Sequence, residues 1–174
     1  MQVKSRQRVA DHGEVFTAER EVKAMLDLVK AQSEQIASTF LEPACGTGNF
    51  LAEILSRKLT TALKLSQINK SQKSPKYSQF HYEKLANHAM SSIYGIELLS
   101  DNCTECRSRL LGLFLDQYQS HFNHTNSAVI QTPEFLLSKN IVNGNALTLK
   151  DLNDNSILFS EWKFISDTLI QRRD

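Results

Sequence analysis

The chain has 174 residues, 41% of them hydrophobic, and its 20 basic and 19 acidic residues leave a formal net charge of +1. That length supports one domain with a real core and is short for two, and the balanced charge gives no overall signal for nucleic acid or a membrane surface. Apolar runs such as Leu110 to Leu115 are too short to span a bilayer, the polar N-terminus has no signal-peptide apolar stretch, and three cysteines make no disulfide framework, so a reducing, cytoplasmic setting without membrane contact is expected.

Residues 1–16 read as a basic arm without periodicity, and residues 17–174 as the domain proper. A helix is predicted from about Ala18 to Gln32, capped by Thr17, with Val22, Met25, Leu26 and Val29 forming one apolar stripe at helical spacing. Thr39 to Glu42 reads as a short buried strand. A second helix starts at Asn49, turns Phe50, Ile54 and Leu55 inward and runs to Leu65. Ser66 to Gln79 has the composition of a polar loop. A short helix over Tyr82 to Met90 leads to a second apolar strand in "SIYGIE". Ser100 or Asp101 is placed to cap a third long helix carrying Leu110, Leu113, Phe114 and Tyr118. In "TPEFLL", Thr132 and Pro133 look like a cap and first helical position. "NIVNGNAL" gives a third strand ending in a turn at Asn143-Gly144. Helices alternating with strands predict an α/β fold with a parallel sheet, flanking helices and right-handed crossovers.

Chemistry concentrates where the strands end. In "FLEPACGTGNFL" the first strand runs into an acid, a proline, four small residues and a second glycine before the helix resumes. Ligands of open parallel sheets sit beyond the carboxyl ends of the strands, and glycines there let a ligand approach the main chain. The loop is neither a P-loop, because Asn49-Phe50 follows Gly48, nor a full G-x-G-x-x-G, because position 51 is Leu. Glu97 ends the second strand, where a carboxylate can accept ribose hydroxyls, with Ile96 and Leu98 beside it to flank a purine. Asn145 follows the third strand, where an amide can reach the ring's polar edge. A loop, an acid and an amide at three strand ends suit a nucleoside ligand without a pyrophosphate.

Those residues carry a resemblance. "LEPACGTGNFL" is similar to motif I of S-adenosylmethionine-dependent DNA amino-methyltransferases, the adenine-N6 and cytosine-N4 group of restriction–modification systems. "GEVFTAEREVKAMLDLV", "IYGIEL" and "NIVNGNAL" resemble motifs X, II and III, and motif X preceding motif I is the order of the gamma class. The resemblance spans roughly residues 13 to 147. It implies a Rossmann-like methyltransferase fold that binds S-adenosylmethionine. Phe16 and Thr17 would touch the methionine end, and Glu42 with Ala44, Cys45, Gly46, Thr47 and Gly48 would cradle the amino-acid part. Glu97 would hold the ribose, with Leu98 beside the purine and Asn145 on the adenine.

The chain departs from that family at one point that matters. The Asn-Pro-Pro-aromatic motif that holds a flipped base in line with the methyl group is missing, since the only prolines are Pro43, Pro75 and Pro133. The expectation is therefore a partial Rossmann-like fold with no catalytic residue of its own. DNA would be the substrate of the complete unit, and a missing C-terminal half or a second copy would pair along the first strand. Other readings are a zinc site from Cys103, Cys106, His121 and His124, for which burial of both cysteines in a helix is the simpler account, and a non-catalytic nucleic-acid module. The latter would use Arg57, Lys58, Lys64, Lys70, Lys73 and Lys76 with Lys4, Arg6 and Arg8 of the N-terminal arm, for which a solvated helix face and loop is the simpler account. A methyltransferase of RNA, protein or small molecules is a further possibility, against which the motif X match argues.

Overall fold

The three apolar runs become three parallel strands. The structure, a computed structural model, describes residues 4–69, 74–122 and 127–174. Strand β1, Phe40–Glu42, pairs in parallel with β2, Ile93–Glu97, and β2 in parallel with β3, Ile141–Asn145. A two-residue strand β4, Lys150–Asp151, adds antiparallel to β3, giving the order β1-β2-β3-β4. Among the described residues β1 is therefore an edge. The turn expected at Asn143-Gly144 comes later, because Gly144 and Asn145 still pair with β4.

Helix α1 covers Arg6–His12, α2 Glu19–Asp27, α3 Lys30–Glu34, α4 Asn49–Leu65, α5 Gln79–Ser91, α6 Ser100–His121 and α7 Ser127–Asn140. Helix α4 runs between the two ends expected from sequence. The basic arm is not irregular: Ser5 caps α1 by accepting from the Arg8 amide, and Gly13 ends it in the left-handed region. The helix expected over Ala18 to Gln32 breaks at Leu28-Val29, with Ala18 and not Thr17 at its N-cap. Its stripe is only half right, because Val22 and Leu26 are buried whereas Met25 and Val29 are exposed. Neither Ser100 nor Asp101 caps α6, whose N-cap is Leu99. Pro133 lies inside α7, not at its start. A proline there forfeits a helix bond, but Leu136 and Leu137 beyond it are buried in the core, which keeps the helix continuous.

The two faces of the sheet are covered differently. Side chains alternate along a strand, so Phe40 faces α4, where it lies beneath the Lys58 ammonium, and its neighbour Leu41 faces the other way and is 53% exposed. Tyr94, opposite Leu41 in register, meets the chain's C-terminal segment: its hydroxyl donates to the Ser160 carbonyl and its ring meets Phe159 edge-on. In that segment Leu158, Phe159, Trp162 and Ile165 recur at the near-helical spacing of a helix face. It is instead a hairpin of β5, Glu161–Phe164, and β6, Ile170–Arg173. Trp162 anchors it by donating to Asn140 and packing edge-on against Phe135. The covering is partial, since Leu158 and Ile165 stay exposed.

Lys58 is the odd residue of the core. It is fully buried and donates to the Ile36 and Ser38 carbonyls and to the Ser92 hydroxyl. Among the described residues no carboxylate pairs with it, and burial pushes its ammonium down to about 7. Between that value and the ordinary lysine value of about 10.4 the unfolded chain holds a proton that the native one sheds, so stability must rise with pH across that window. Denaturant unfolding at pH 7 and pH 9.5 is expected to show wild type gaining stability relative to Lys58→Met. Parallel pH curves for the two proteins would refute the depressed value.

Candidate functional site

The crevice at the strand ends is built by the main chain first. As the chain leaves β1 it turns back on β2: the Cys45 amide donates to the Ile96 carbonyl at 3.0 Å, and the Gly46 amide to Glu97 Oε2 at 2.8 Å. Gly46 and Gly48 have φ of 53° and 82°, the left-handed region that favours glycine. Close neighbours explain why both are bare. A β-carbon on Gly46 would stand 3.2 Å from the Phe16 ring, and one on Gly48 would stand 2.6 Å from Cys106 Sγ. Phe16 thus lies directly on the loop, although it is thirty residues away in sequence.

A second junction fixes the Phe16-Thr17 segment. Asn49, the first residue of α4, donates from its side chain to the Thr17 carbonyl at 2.9 Å. Its Oδ1 accepts from Arg109 of α6 at 2.5 Å, and the same guanidinium reaches the Thr47 carbonyl at 3.4 Å. Sequence reasoning missed Arg109, and nothing in its local pattern marks it out.

The result is a cavity of 420 Å³ whose walls include Phe16, Thr17, Glu42, Ala44, Cys45, Gly46, Glu97, Leu98 and Asn145. Nine of the residues singled out from sequence therefore come together. Thr47 and Gly48 do not line it: both are buried behind the loop. Nor does Ile96, which is buried within the sheet. Leu147 takes the place expected of Ile96, alongside Leu98, and Glu14 and Asn102 are lining residues with no counterpart in the sequence reading.

Of the three acids that line the cavity, Glu14 is paired with Arg8, and Glu97 and Glu42 are in opposite states. Glu97 is engaged by its own chain: Oε2 takes the Gly46 amide, and Oε1 takes the Leu99 amide at 2.9 Å and the Asn102 side chain at 3.4 Å. A carboxylate offers about four acceptor positions, so roughly one remains. Glu42 Oε2 is buried with no partner, and the other such atom among the described residues, Asn87 Oδ1, does not line the cavity. Burial first, and the Glu97 charge second, push the Glu42 carboxyl up to about 8. A buried polar atom without a partner is costly, and the residue that carries it is one of those that line the cavity. Asn145 is fixed in one sense, because its Oδ1 accepts from the Leu147 and Thr148 amides. Its NH₂ is then the end left to face a ligand.

A larger cavity, 670 Å³, lies on the far side of the loop, lined by Lys4, Lys23, Arg109, Glu19, Glu53 and Glu105 among others. Most of its charges are paired, Lys4 with Glu105, Lys23 with Glu19 and Glu53 with Arg57, and Arg109 is bonded to Asn49 and the Thr47 carbonyl. No unsatisfied group marks it as a site. The remaining sequence candidates are absorbed by structure. Cys103 and Cys106 are buried in α6 and the His121 ring bonds the Gln117 carbonyl of the same helix, while His124 lies outside the described residues. Of the basic run, Arg57 pairs with Asp27 and Glu53 and Lys58 is buried. Lys64 and Lys76 are exposed, and Lys70 and Lys73 lie outside the described residues.

Residues 15–157 match the family described as MmeI, DNA-methyltransferase domain. No curated protein and no solved structure matches the chain.

The tight approach at Gly48 gives a direct test of the loop. Gly48→Ala is expected to destabilise the protein by about 2 kcal/mol, from the left-handed backbone and the overlap with Cys106 together. Adding Cys106→Ala removes the overlap, so thermal melting of the double variant should show less than the sum of the two single losses. A strictly additive pair would mean that the sulfur does not press on the loop.

Proposed function

The chain belongs to the MmeI DNA-methyltransferase domain family, a restriction–modification methyltransferase family, and from that premise we propose that its 420 Å³ cavity is an S-adenosylmethionine site serving adenine-N6 methylation of DNA. The observation that carries the proposal is the unpartnered, buried Oε2 of Glu42. Glu42 lines the cavity and its carboxylate would take the cofactor's ammonium, a cation there favouring the ionised form. The cavity volume lies within the usual range for small-ligand sites. When bound, S-adenosylmethionine supplies an activated methyl group on its sulfonium.

The chain's own residues bind and orient. Gly46 and the Phe16 ring packed on it form one wall of the cavity, against which the amino-acid part would lie. The acceptor position left on Glu97 takes a ribose hydroxyl. Leu98 and Leu147 flank the purine, and the Asn145 amide donates to a ring nitrogen, because its oxygen is already held by two backbone amides. Thr17, Ala44 and Cys45 line the same walls, while Thr47 and Gly48 act from behind by shaping the turn.

What these residues do not provide is the acceptor side. No Asn-Pro-Pro-aromatic sequence occurs among the 174 residues, so nothing here holds an adenine amino group in line. That geometry must come from a further segment or another chain. The open edge of β1, with Leu41 exposed beside it, is the place where such a partner, or a second copy, would add.

Two measurements test the reading. Titration calorimetry with S-adenosylhomocysteine should detect binding that weakens by about 1.5–3 kcal/mol in Glu97→Ala, the scale of a charge-assisted bond. Affinity should also climb with pH toward about 8, where free Glu42 ionises. Because the bound carboxylate stays ionised beside a cation, a proton is released on binding below that pH, and Glu42→Gln should abolish the trend. Identical isotherms for wild type and both variants would sink the site.

Methyl transfer by this chain alone is not expected. Incubation with tritiated S-adenosylmethionine and mixed duplex DNA should leave the DNA unlabelled, and label in adenine amino groups would show that other residues supply the acceptor geometry.

A further inference from the structure

We infer that helix α1, with Lys4 just before its cap, is a working part of the cofactor site: Arg8 and Lys4, acting through Glu14 and Asn102, position Glu97. The inference rests on the reading of Glu97 as the ribose acceptor. Helix α1 lies before residue 15, outside the span matched by the family, so the family match does not account for it.

The geometry is a relay from the helix surface to the buried acid. Gly13 ends α1 and turns the chain so that Glu14 returns to Arg8. The guanidinium meets that carboxylate at two points, Nε to Oε2 and Nη2 to Oε1, both at 2.7 Å, and its third arm reaches Asp101 at 2.7 Å. Lys4 donates to Glu105 at 2.6 Å and to Asn102 Oδ1 at 2.7 Å. Asn102 is 1% exposed. With its oxygen held by the ammonium, its NH₂ must face the two carboxylates, Glu14 at 2.6 Å and Glu97 at 3.4 Å. A flipped amide would set its oxygen against both acids and its nitrogen against Lys4, so the orientation is determined.

The charges explain why α1 is needed. Glu14 and Glu97 share one amide nitrogen, close enough that an uncompensated Glu14 would repel Glu97. Arg8 neutralises Glu14, and Lys4 holds the amide in the sense that serves both acids. Glu97 is then fixed at Oε1 by Asn102 and Leu99 and at Oε2 by Gly46, which aims its remaining acceptor position into the cavity. Loss of the α1 contacts frees the amide, and through it the acid, without removing any group that lies on the ligand.

The test pairs protein variants with a ligand variant. S-adenosylhomocysteine and its 2′,3′-dideoxyribose analogue are titrated into wild type, Arg8→Gln and Asn102→Leu, with melting curves recorded in parallel. If the relay acts through the ribose contact, Arg8→Gln loses about three- to tenfold in affinity for S-adenosylhomocysteine and is nearly unchanged toward the dideoxy analogue, while Asn102→Leu, which also alters the cavity wall, loses more toward S-adenosylhomocysteine than toward the analogue. General damage to the fold would weaken both ligands alike, and equal losses, or none, overturn the inference. Should Asn102→Leu fail to fold, Arg8→Gln still decides, because that side chain is on the half-exposed face of a short surface helix. Wild type failing to bind S-adenosylhomocysteine would overturn the cofactor reading itself and this inference with it.

Discussion

The turn that follows β1 must bring the chain back onto β2 within a few residues, and the rest of the site is arranged around that requirement. Two consecutive amides of the turn are taken up by β2, one by the Ile96 carbonyl and one by the Glu97 carboxylate. Glu97 thereby does structural work before any ligand arrives. The same turn leaves no room for β-carbons at Gly46 and Gly48, because Phe16 presses on one and Cys106 on the other. Both pressures come from elements distant in sequence, so the loop is shaped from outside as much as by its own residues. This is why the Phe16-Thr17 segment, the loop and α6 form one unit, with Asn49 and Arg109 as the bond between them.

Much of this was legible in the sequence, and the reason is local. Strand positions followed from short apolar runs, and α4 followed from a glycine pair leading into a periodic apolar stretch that runs on to Lys64 and Leu65. The residues lining the cavity were legible because a parallel sheet delivers its strand ends to one place, so knowing the strands nearly fixes the neighbours. Ile96 shows the limit of that logic. It sits next to Glu97 in sequence, but strand alternation sends it into the sheet, while Leu147 from the turn after β3 arrives at the cavity instead.

The misreadings share a cause, which is tertiary contact overriding local preference. Met25 and Val29 are spaced as core residues, yet the break at Leu28 leaves them outside. Pro133 looks like a helix start and is carried in a helix interior by the core packing of Leu136 and Leu137. The basic N-terminal residues looked like a free arm because their partners, Asp101, Asn102 and Glu105, stand nearly a hundred positions away. Lys58 likewise reads as a surface cation from its basic neighbours and is buried, its ammonium over the Phe40 ring. No window of sequence contains these pairs, so no periodicity could have announced them.

Glu42 joins fold to function most directly. It closes a strand that is paired on one side only among the described residues, a position where an acid would ordinarily reach water. Instead its Oε2 is enclosed and unpartnered, next to a second carboxylate that has three donors of its own. That asymmetry has an energetic meaning. The chain has directed its available amides to Glu97, and has left Glu42 in a state that raises its affinity for a proton or for another cation. Native stability is lowered by such an arrangement and ligand affinity is raised by it, because a bound ammonium removes a penalty that the free protein already carries. With Glu14 and Glu97 partnered and Glu42 withheld, the cavity has the arrangement that the proposed ligand, cationic at one end and hydroxyl-bearing at the other, would meet.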